Sequence, residues 1–283
     1  MSALDKESRL QKIQISGNNL SADLQEACTR ASISVGITRV MEMELTFKDS
    51  GDLKIFRSGV LNPGQTLRYG GVSGWRGRLS DDGPTLDGRT GVPMLTVKAP
   101  SLWVARLRGQ TGERNWGKQS VSQWVRARCD EVGVKHAVQD GLGSKEFVRE
   151  KPEGDRREST WDVMTSMASE LNCWLFDTGD RIVFGKPSWV ASRSAARVGF
   201  RYDGPGDFTD GFDGKYRFSG HTPEDQEFQV GCLTPDADAL RPGDRLDVSG
   251  ILGRANGQWV ISEVSIPLHR SEAVRLTARR PRL

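Results

Sequence analysis

The feature that most constrains this chain is a change of hydrophobic period along its length. Near the N-terminus, Met41, Met43, Leu45 and Phe47 alternate with Glu42, Glu44 and Thr46. Near the C-terminus, Val274, Leu276 and Ala278 alternate with Arg275, Thr277 and Arg279. A period of two sends one set of side chains to a core and the other to water, so both ends must build half-buried strands. The middle runs at helical spacing instead. Val121, Trp124, Val125, Cys129 and Val132 make one apolar stripe, and Trp161, Met164, Ala168 and Leu171 make another. The fold class that follows is mainly β with an α/β insertion. At 283 residues the chain has room for two domains or one elaborate one.

Turn chemistry fills in the order of elements. Further strands are expected at Lys12 to Ser16, Leu53 to Arg57, Gln65 to Tyr69 and Met94 to Lys98, with a short helix capped by Ser21 and striped by Leu20, Leu24 and Ala27. The Gly- and Asp-rich stretch 70–91 reads as a long hairpin tip. In the middle, Ser120 to Gln123 has the S-x-x-Q form of a capping box, Gly133 ends that helix, and a second helix starts at Ser159 or Thr160 and ends at Asn172. Cys173 to Phe176 and Arg181 to Phe184, joined by Asp-Thr-Gly-Asp, read as a hairpin. The charged stretch 146–157 reads as a surface segment, 188–197 as a linker, and 203–215 as a loop. Strands return at Arg245 to Val248, Gln258 to Ser265 and Ala273 to Ala278.

Two segments echo each other. Residues 61–69 read LNPGQTLRY and residues 240–248 read LRPGDRLDV, sharing L-x-P-G-x-x-L. Leu61, Pro63, Gly64 and Leu67 thus correspond to Leu240, Pro242, Gly243 and Leu246. Proline fixes φ and glycine permits the turn that feeds each strand. Pro-Gly before a strand is common in β proteins, so coincidence is one explanation. The other is a duplicated β-barrel domain, at 1–100 and 188–283, flanking an α/β insertion at 101–187.

The chain carries few residues in patterns that point to catalysis or ligand binding. His136, His221 and His269 lack ligand spacing to one another or to Cys28, Cys129, Cys173 and Cys232, so neither a metal nor another cofactor is expected, and the thiols read as buried and free. Trp75 breaks the glycine pattern of a nucleophile elbow at 71–75, and Gly141 to Lys145 has the wrong order for a phosphate loop. Asp203, Asp207, Asp210 and Asp213 lack calcium-loop spacing, and Asp162 with Glu170 fits an exposed helix face better than an acid/base pair. The net charge of +3 is small and its arginines scattered, apart from Arg275, Arg279, Arg280 and Arg282, which argues against a nucleic-acid groove. No apolar run reaches membrane-spanning length, and the polar N-terminus reads as no signal peptide, so a reducing cytoplasm is the expected place of folding. Among the tryptophans, Trp124 and Trp161 lie on core stripes. Trp75, Trp103 and Trp116, near glycines or turns, are the candidate interface anchors.

Several motifs, taken in order, resemble the tail hub family of contractile phages and injection systems, also described as late control protein D-like. They are Asn62-Pro63-Gly64, the helix Ser120 to Val132, the run Ser159 to Met164 with Ala168 to Leu171, the hairpin ending Ile182 to Pro187, Leu240 to Asp244, and Gly257 to Val264. The resemblance spans about residues 10 to 281, and the order of the motifs carries it more than any one of them. It implies a non-enzymatic hub with two tube-like β-barrel domains. Three chains would make a pseudo-sixfold ring joining a sixfold tail tube or distal tail protein to a threefold central spike protein, with a tape measure protein as a further partner. DNA or cargo would only pass through the lumen, whose wall would carry few Arg or Lys. The location implied is a virion tail tip or injection particle, assembled in the host cytoplasm. Longer members continue past the second barrel; ending at Leu283 implies that the spike or cell-wall hydrolase is a separate polypeptide. The alternatives are a tail-associated cell-envelope hydrolase or carbohydrate-binding protein, and a barrel for single-stranded nucleic acid.

Overall fold

The computed structural model describes residues 9–37, 39–70, 75–80, 84–87, 91–149, 158–193, 196–204, 207–208, 212–222, 226–233, 235–251, 253–268 and 272–280. After a 3-10 turn at Arg9–Lys12, the first part runs β1 (Ile13–Ile15), β2 (Asn18–Asn19), α1 (Ala22–Ala27), β3 (Cys28–Gly36), β4 (Glu42–Lys48), α2 (Lys54–Arg57), β5 (Thr66–Tyr69), β6 (Arg76–Arg78), β7 (Thr85–Asp87) and β8 (Met94–Pro100). The alternation in β4 does what its period requires: Met43, Leu45 and Phe47 are buried while Glu42, Glu44 and Thr46 face outward. Cross-strand pairs Ile33↔Met43, Leu45↔Val97 and Phe47↔Leu95 stack the apolar face of β3, β4 and β8. A second sheet, β2-β1-β5-β6, meets the first through the Gly77↔Ser101 bridge and the Ser80 N–H to Lys98 carbonyl bond of 2.9 Å.

The expected strand at Leu53 to Arg57 is a helical turn instead. Buried Asp49 accepts backbone N–H bonds from Ile55 and Phe56 at 2.9 Å and from Ser50 at 2.8 Å, supplying the partners that a helix start lacks. Burial alone would raise the Asp49 pKa; the three N–H groups and the Ser50 hydroxyl reverse this and hold it below the usual carboxylate range.

The middle contains α3 (Leu102–Gly109), β9 (Arg114–Ser120), α4 (Val121–Glu131), β10 (Lys135–Val138), β11 (Ser144–Arg149), α5 (Thr160–Glu170), β12 (Trp174–Asp177), β13 (Arg181–Gly185) and α6 (Pro187–Arg193). The β12–β13 hairpin forms as its turn residues dictate, and β10 adds to it in parallel. Helices α3, α4 and α5 cover this small sheet, with Val104, Trp124, Val125, Met164, Leu175 and Phe184 in a core of their own. Ser159 and Asp162 form a reciprocal capping box on α5, and Asn172 takes the left-handed conformation (φ 49°) after it.

Two expectations fail here and a third holds in part, each for an identifiable reason. Ser120 does not cap α4 with its hydroxyl, because its backbone belongs to β9, and the Val121 N–H goes to the Gly143 carbonyl at 3.0 Å. The described part of the charged stretch 146–157 lies in β11, paired with β9; Glu146 and Val148 are exposed, as a surface segment requires, while Phe147 and Arg149 are buried. The stretch 188–197 is helical up to Arg193, burying Val190 and Ala191, with Trp189 packed so closely on Gly185 that a Cβ there would lie 2.4 Å from the ring.

The last part contains β14 (Arg197–Gly204), β15 (Asp207–Phe208), β16 (Phe212–Ser219), β17 (Glu227–Cys232), β18 (Arg245–Ser249), β19 (Gly257–Pro267) and β20 (Val274–Arg279). The segment 203–215, read as a loop, thus supplies strand residues on both sides of positions outside the described ones. Strand β19 joins the halves of the molecule. Along one side it pairs with β20; along the other its first residues pair with β18 and its last, Glu263 to Pro267, with β3. The first and last parts therefore share one eleven-stranded sheet and one hydrophobic core. Within it, the run β14-β18-β19-β20-β17-β16 curls so that Phe200 of β14 faces Phe212 and Tyr216 of β16, with ring centroids 5.0 and 5.7 Å apart. Side chains make this approach; among the described residues no ladder joins β14 to β16. Phe200, Phe228 and Trp259 are fully buried here, each contributing roughly 1.5–3 kcal/mol. After β18 the chain turns at Gly250 (φ +79°), where a Cβ would lie 1.8 Å from the Tyr202 carbonyl oxygen.

Candidate functional site

The two L-x-P-G segments fold alike, bond for bond. Gly64 and Gly243 have φ of +81° and +98°, as the third residue of a type II turn requires. The Gln65 N–H reaches the Asn62 carbonyl at 3.3 Å, and the Asp244 N–H reaches the Arg241 carbonyl at 3.1 Å. The next side chain closes each turn: Gln65 Oε1 accepts from the Asn62 N–H at 2.9 Å, and Asp244 Oδ2 from the Arg241 N–H at 2.8 Å. Gly64 and Gln65 bracket Leu79 with a pair of backbone bonds, as Gly243 and Asp244 bracket Ile261. Leu61, Leu67, Leu240 and Leu246 are all buried. Beyond the turns the settings differ, since β5 lies antiparallel to β1 whereas β18 lies parallel to β14.

The second turn is also where the insertion docks. Arg241 donates from Nε to the Thr178 carbonyl in the β12–β13 turn at 3.2 Å, and from Nη1 to the carbonyls of Asp238 and Leu240 at 2.7 and 2.6 Å. Asp238 in turn meets Arg9 at 3.0 Å and accepts from the Tyr69 hydroxyl at 3.2 Å, so the joint draws on all three parts of the chain. Val190 of α6 packs on Gly243, leaving no room for a Cβ there.

Asp177 is the buried carboxylate of this joint. It is 0% exposed, and its Oδ1 accepts from the Gly179 N–H at 2.7 Å. Burial pushes its pKa up to about 6; the Ser101 hydroxyl, the Gly179 N–H and Arg241 pull the other way, and Asp180 adds to the rise. A folded pKa above the unfolded value means that the folded state binds the proton more tightly. Asp177 therefore disfavours folding above pH 6, and this penalty fades as pH falls towards 4. Asp177→Asn, which keeps the Gly179 bond, is expected to be the more stable protein at pH 7.5, by up to about 3 kcal/mol, with the advantage shrinking on acidification. Urea unfolding of both proteins at pH 7.5 and 4.5 checks this; a constant difference would refute the assignment.

The three tryptophans singled out as interface anchors have different surroundings. Trp75 is only 1% exposed, its ring lying on Gly77 and its Cβ beside Gly179. That burial leaves it no surface to offer a neighbour, so it wedges the joint from inside. Trp103 is half-buried, and its indole N–H donates to the Gly179 carbonyl at 3.2 Å. Trp116, also half-buried, stands edge-on to Trp124 with centroids 5.4 Å apart, and Trp124 stacks on Phe147 at 4.5 Å. Sequence reasoning missed Asp177 and Arg241, because a carboxylate in a hairpin turn and an arginine in a Pro-Gly turn look like surface residues until the turns meet.

The remaining candidates stay apart. All four cysteines are buried and free, and burial pushes the thiols of Cys28 and Cys129 up to about 11 and about 12. His136 sits 3.2 Å from Asp130. His269 and Gly71 to Gly74 lie outside the described residues, as do the side chains of Asp203, Asp207 and Asp210. Asp162 is used in the α5 cap, and Glu170 pairs with Lys145. Among the described residues no three His, Cys, Asp or Glu side chains gather to hold a metal ion, and no helix is long and apolar enough to cross a membrane.

No protein-family model and no curated protein matches the sequence. Solved structures do match the fold. The 43 kDa tail protein of prophage MuSo2 from Shewanella oneidensis superposes with a TM-score of 0.62 at 14% identity, covering 95% of this chain and 97% of that one. A tail protein from Neisseria meningitidis gives 0.58 at 10% identity, with 95% of each chain covered. An Escherichia coli component of the type VI secretion system, described as similar to bacteriophage T4 tail proteins, gives 0.60 at 12% identity over 95% of this chain and 76% of that one. The chain thus has the fold of phage and secretion-system tail proteins.

Proposed function

We propose that this chain is a non-enzymatic hub of a phage-type tail or injection particle. Three copies form a pseudo-sixfold ring between a sixfold tail tube, or distal tail protein, and a threefold central spike protein, with a tape measure protein as a further partner and DNA or cargo passing through the lumen. The observation that carries this reading is the pair of Pro-Gly turns with identical hydrogen bonds, one feeding β5 in the four-stranded sheet of the first part and the other feeding β18 in the eleven-stranded sheet. Two like units per chain let three chains imitate six. The match to tail proteins over nearly their full length supports the same reading. So does the approach of β14 to β16 across Phe200, which suits a tube-like barrel at 188–283; residues 1–100 would form its counterpart and 101–187 the insertion.

Light scattering on the purified chain is expected to give the mass of three chains, or of one chain that becomes three on mixing with its tail tube. Gold label on the chain should appear at the tail tip in negative-stain images of particles made in host cytoplasm. A chain that stays single inside particles, or one that hydrolyses peptidoglycan, would end this proposal.

A further inference from the structure

The insertion holds more positive charge at one place than its packing requires. The guanidinium carbons of Arg114, Arg128 and Arg149 lie 5.1, 5.1 and 5.3 Å from the centre of the Trp116 ring. Two of these side chains are well inside the protein, Arg128 at 7% and Arg149 at 6% exposure, whereas Arg114 is half exposed at 50%. One carboxylate serves two of them: Glu131 lies 2.9 Å from Arg128 Nη1 and 3.5 Å from Arg114 Nη2. Arg149 instead spends its donors on neutral oxygens, the carbonyls of Gly112 and Gln110 and the Thr160 hydroxyl, with Glu131 and Glu158 acting on it through their fields. Among the described residues, three cations thus face two carboxylates.

Donor arithmetic points the same way. Arg128 Nε and the Trp116 indole N–H are both buried donors without an acceptor. A buried donor left unpaired costs about 1–3 kcal/mol, so two within one arginine–tryptophan cluster point to a place for an acceptor. Burial depresses the Arg128 pKa; Glu131 offsets this in part, and Arg114 and Arg149 depress it further, so a negative group here would relieve both burial and repulsion. Gln110 Oε1 nearby also lacks a partner, and a protonated oxygen of the incoming group could donate to it.

We infer that the insertion binds an oxyanion, a phosphate or carboxylate group, in the angle between Arg114, Arg128 and Trp116. Arg114 forms the outer wall and admits the ligand. A planar guanidinium fork suits either group, and the acceptor oxygens complete the donors that the fold leaves open.

The full chain is titrated with inorganic phosphate, and separately with acetate, each exchanged against chloride at constant ionic strength. Indole fluorescence and the thermal midpoint are both followed. A saturable rise in midpoint with a matching fluorescence change is expected. In Arg114→Gln the apparent affinity should fall about tenfold, with a cooperative melt in chloride showing that the variant is folded. Saturation by phosphate alone assigns a phosphate ligand. Saturation by acetate assigns a site that an acidic side chain of a neighbouring protein can fill. No response beyond chloride, or the same response in Arg114→Gln, overturns the inference.

Discussion

Gly250→Ala is expected to lower the unfolding free energy by about 3–5 kcal/mol, among the largest effects of any single methyl group in this chain. Two penalties add. At φ +79° an L-residue is disfavoured by roughly 1–2 kcal/mol. The new Cβ would also sit 1.8 Å from the Tyr202 carbonyl oxygen, which is backbone and cannot swing aside as a side chain would. Relief requires moving β14 away from β18, along the register Arg197↔Arg245 to Arg201↔Ser249. Urea unfolding followed by tryptophan fluorescence measures the loss. Gly253→Ala, where a Cβ meets nothing within 4 Å, is the control and should change stability by less than about 0.5 kcal/mol. Equal effects at both positions would mean that β14 does not approach the turn as described.

Arg241→Met should cost about 2–4 kcal/mol and loosen the insertion before the sheet unfolds. The substitution keeps much of the aliphatic stem and removes the bonds to Thr178, Asp238 and Leu240. It also strips the carboxylates of Asp177, Asp180, Asp238 and Asp244 of a shared counter-charge. Breaking a fully buried pair costs 3–5 kcal/mol; Arg241 retains some solvent contact, hence the lower range. Adding Asp177→Asn should recover part of the loss, because a neutral side chain no longer needs the cation. A double-mutant cycle at pH 7.5 reads that coupling directly. Strictly additive losses would separate Arg241 from Asp177.

The elements that could be read from sequence are those whose signal is local. The alternation of Met41, Met43, Leu45 and Phe47, the stripe of Trp161, Met164 and Ala168, and the Asp-Thr-Gly-Asp turn each carry their period or turn chemistry within a dozen residues. The likeness of the two Pro-Gly turns is visible because Pro63 with Pro242 and Gly64 with Gly243, which set the backbone of each turn, repeat, whereas the closing side chains Gln65 and Asp244 do not. What escaped depends on partners far along the chain. Residues 54–57 have strand propensity but are recruited by a carboxylate at position 49. The helix at Pro187–Arg193 forms because Trp189 finds Gly185 and Val190 finds Gly243. Trp75 reads as an interface anchor beside glycines, yet glycine at 77 and 179 is what makes room to bury it. The same holds at the joint, where Arg241 and Asp177 are 64 positions apart and acquire their roles only when two turns meet.

Strand β19 has a mechanical consequence. Because β18 and β3 follow one another along the same flank of this single strand, with β20 gripping the opposite flank, tension between the halves runs in shear through a continuous backbone. Many backbone bonds must slide together before anything yields, whereas a seam between separately folded halves could peel open one bond at a time. A ring built from such chains would transmit a sudden thrust as a stiff collar.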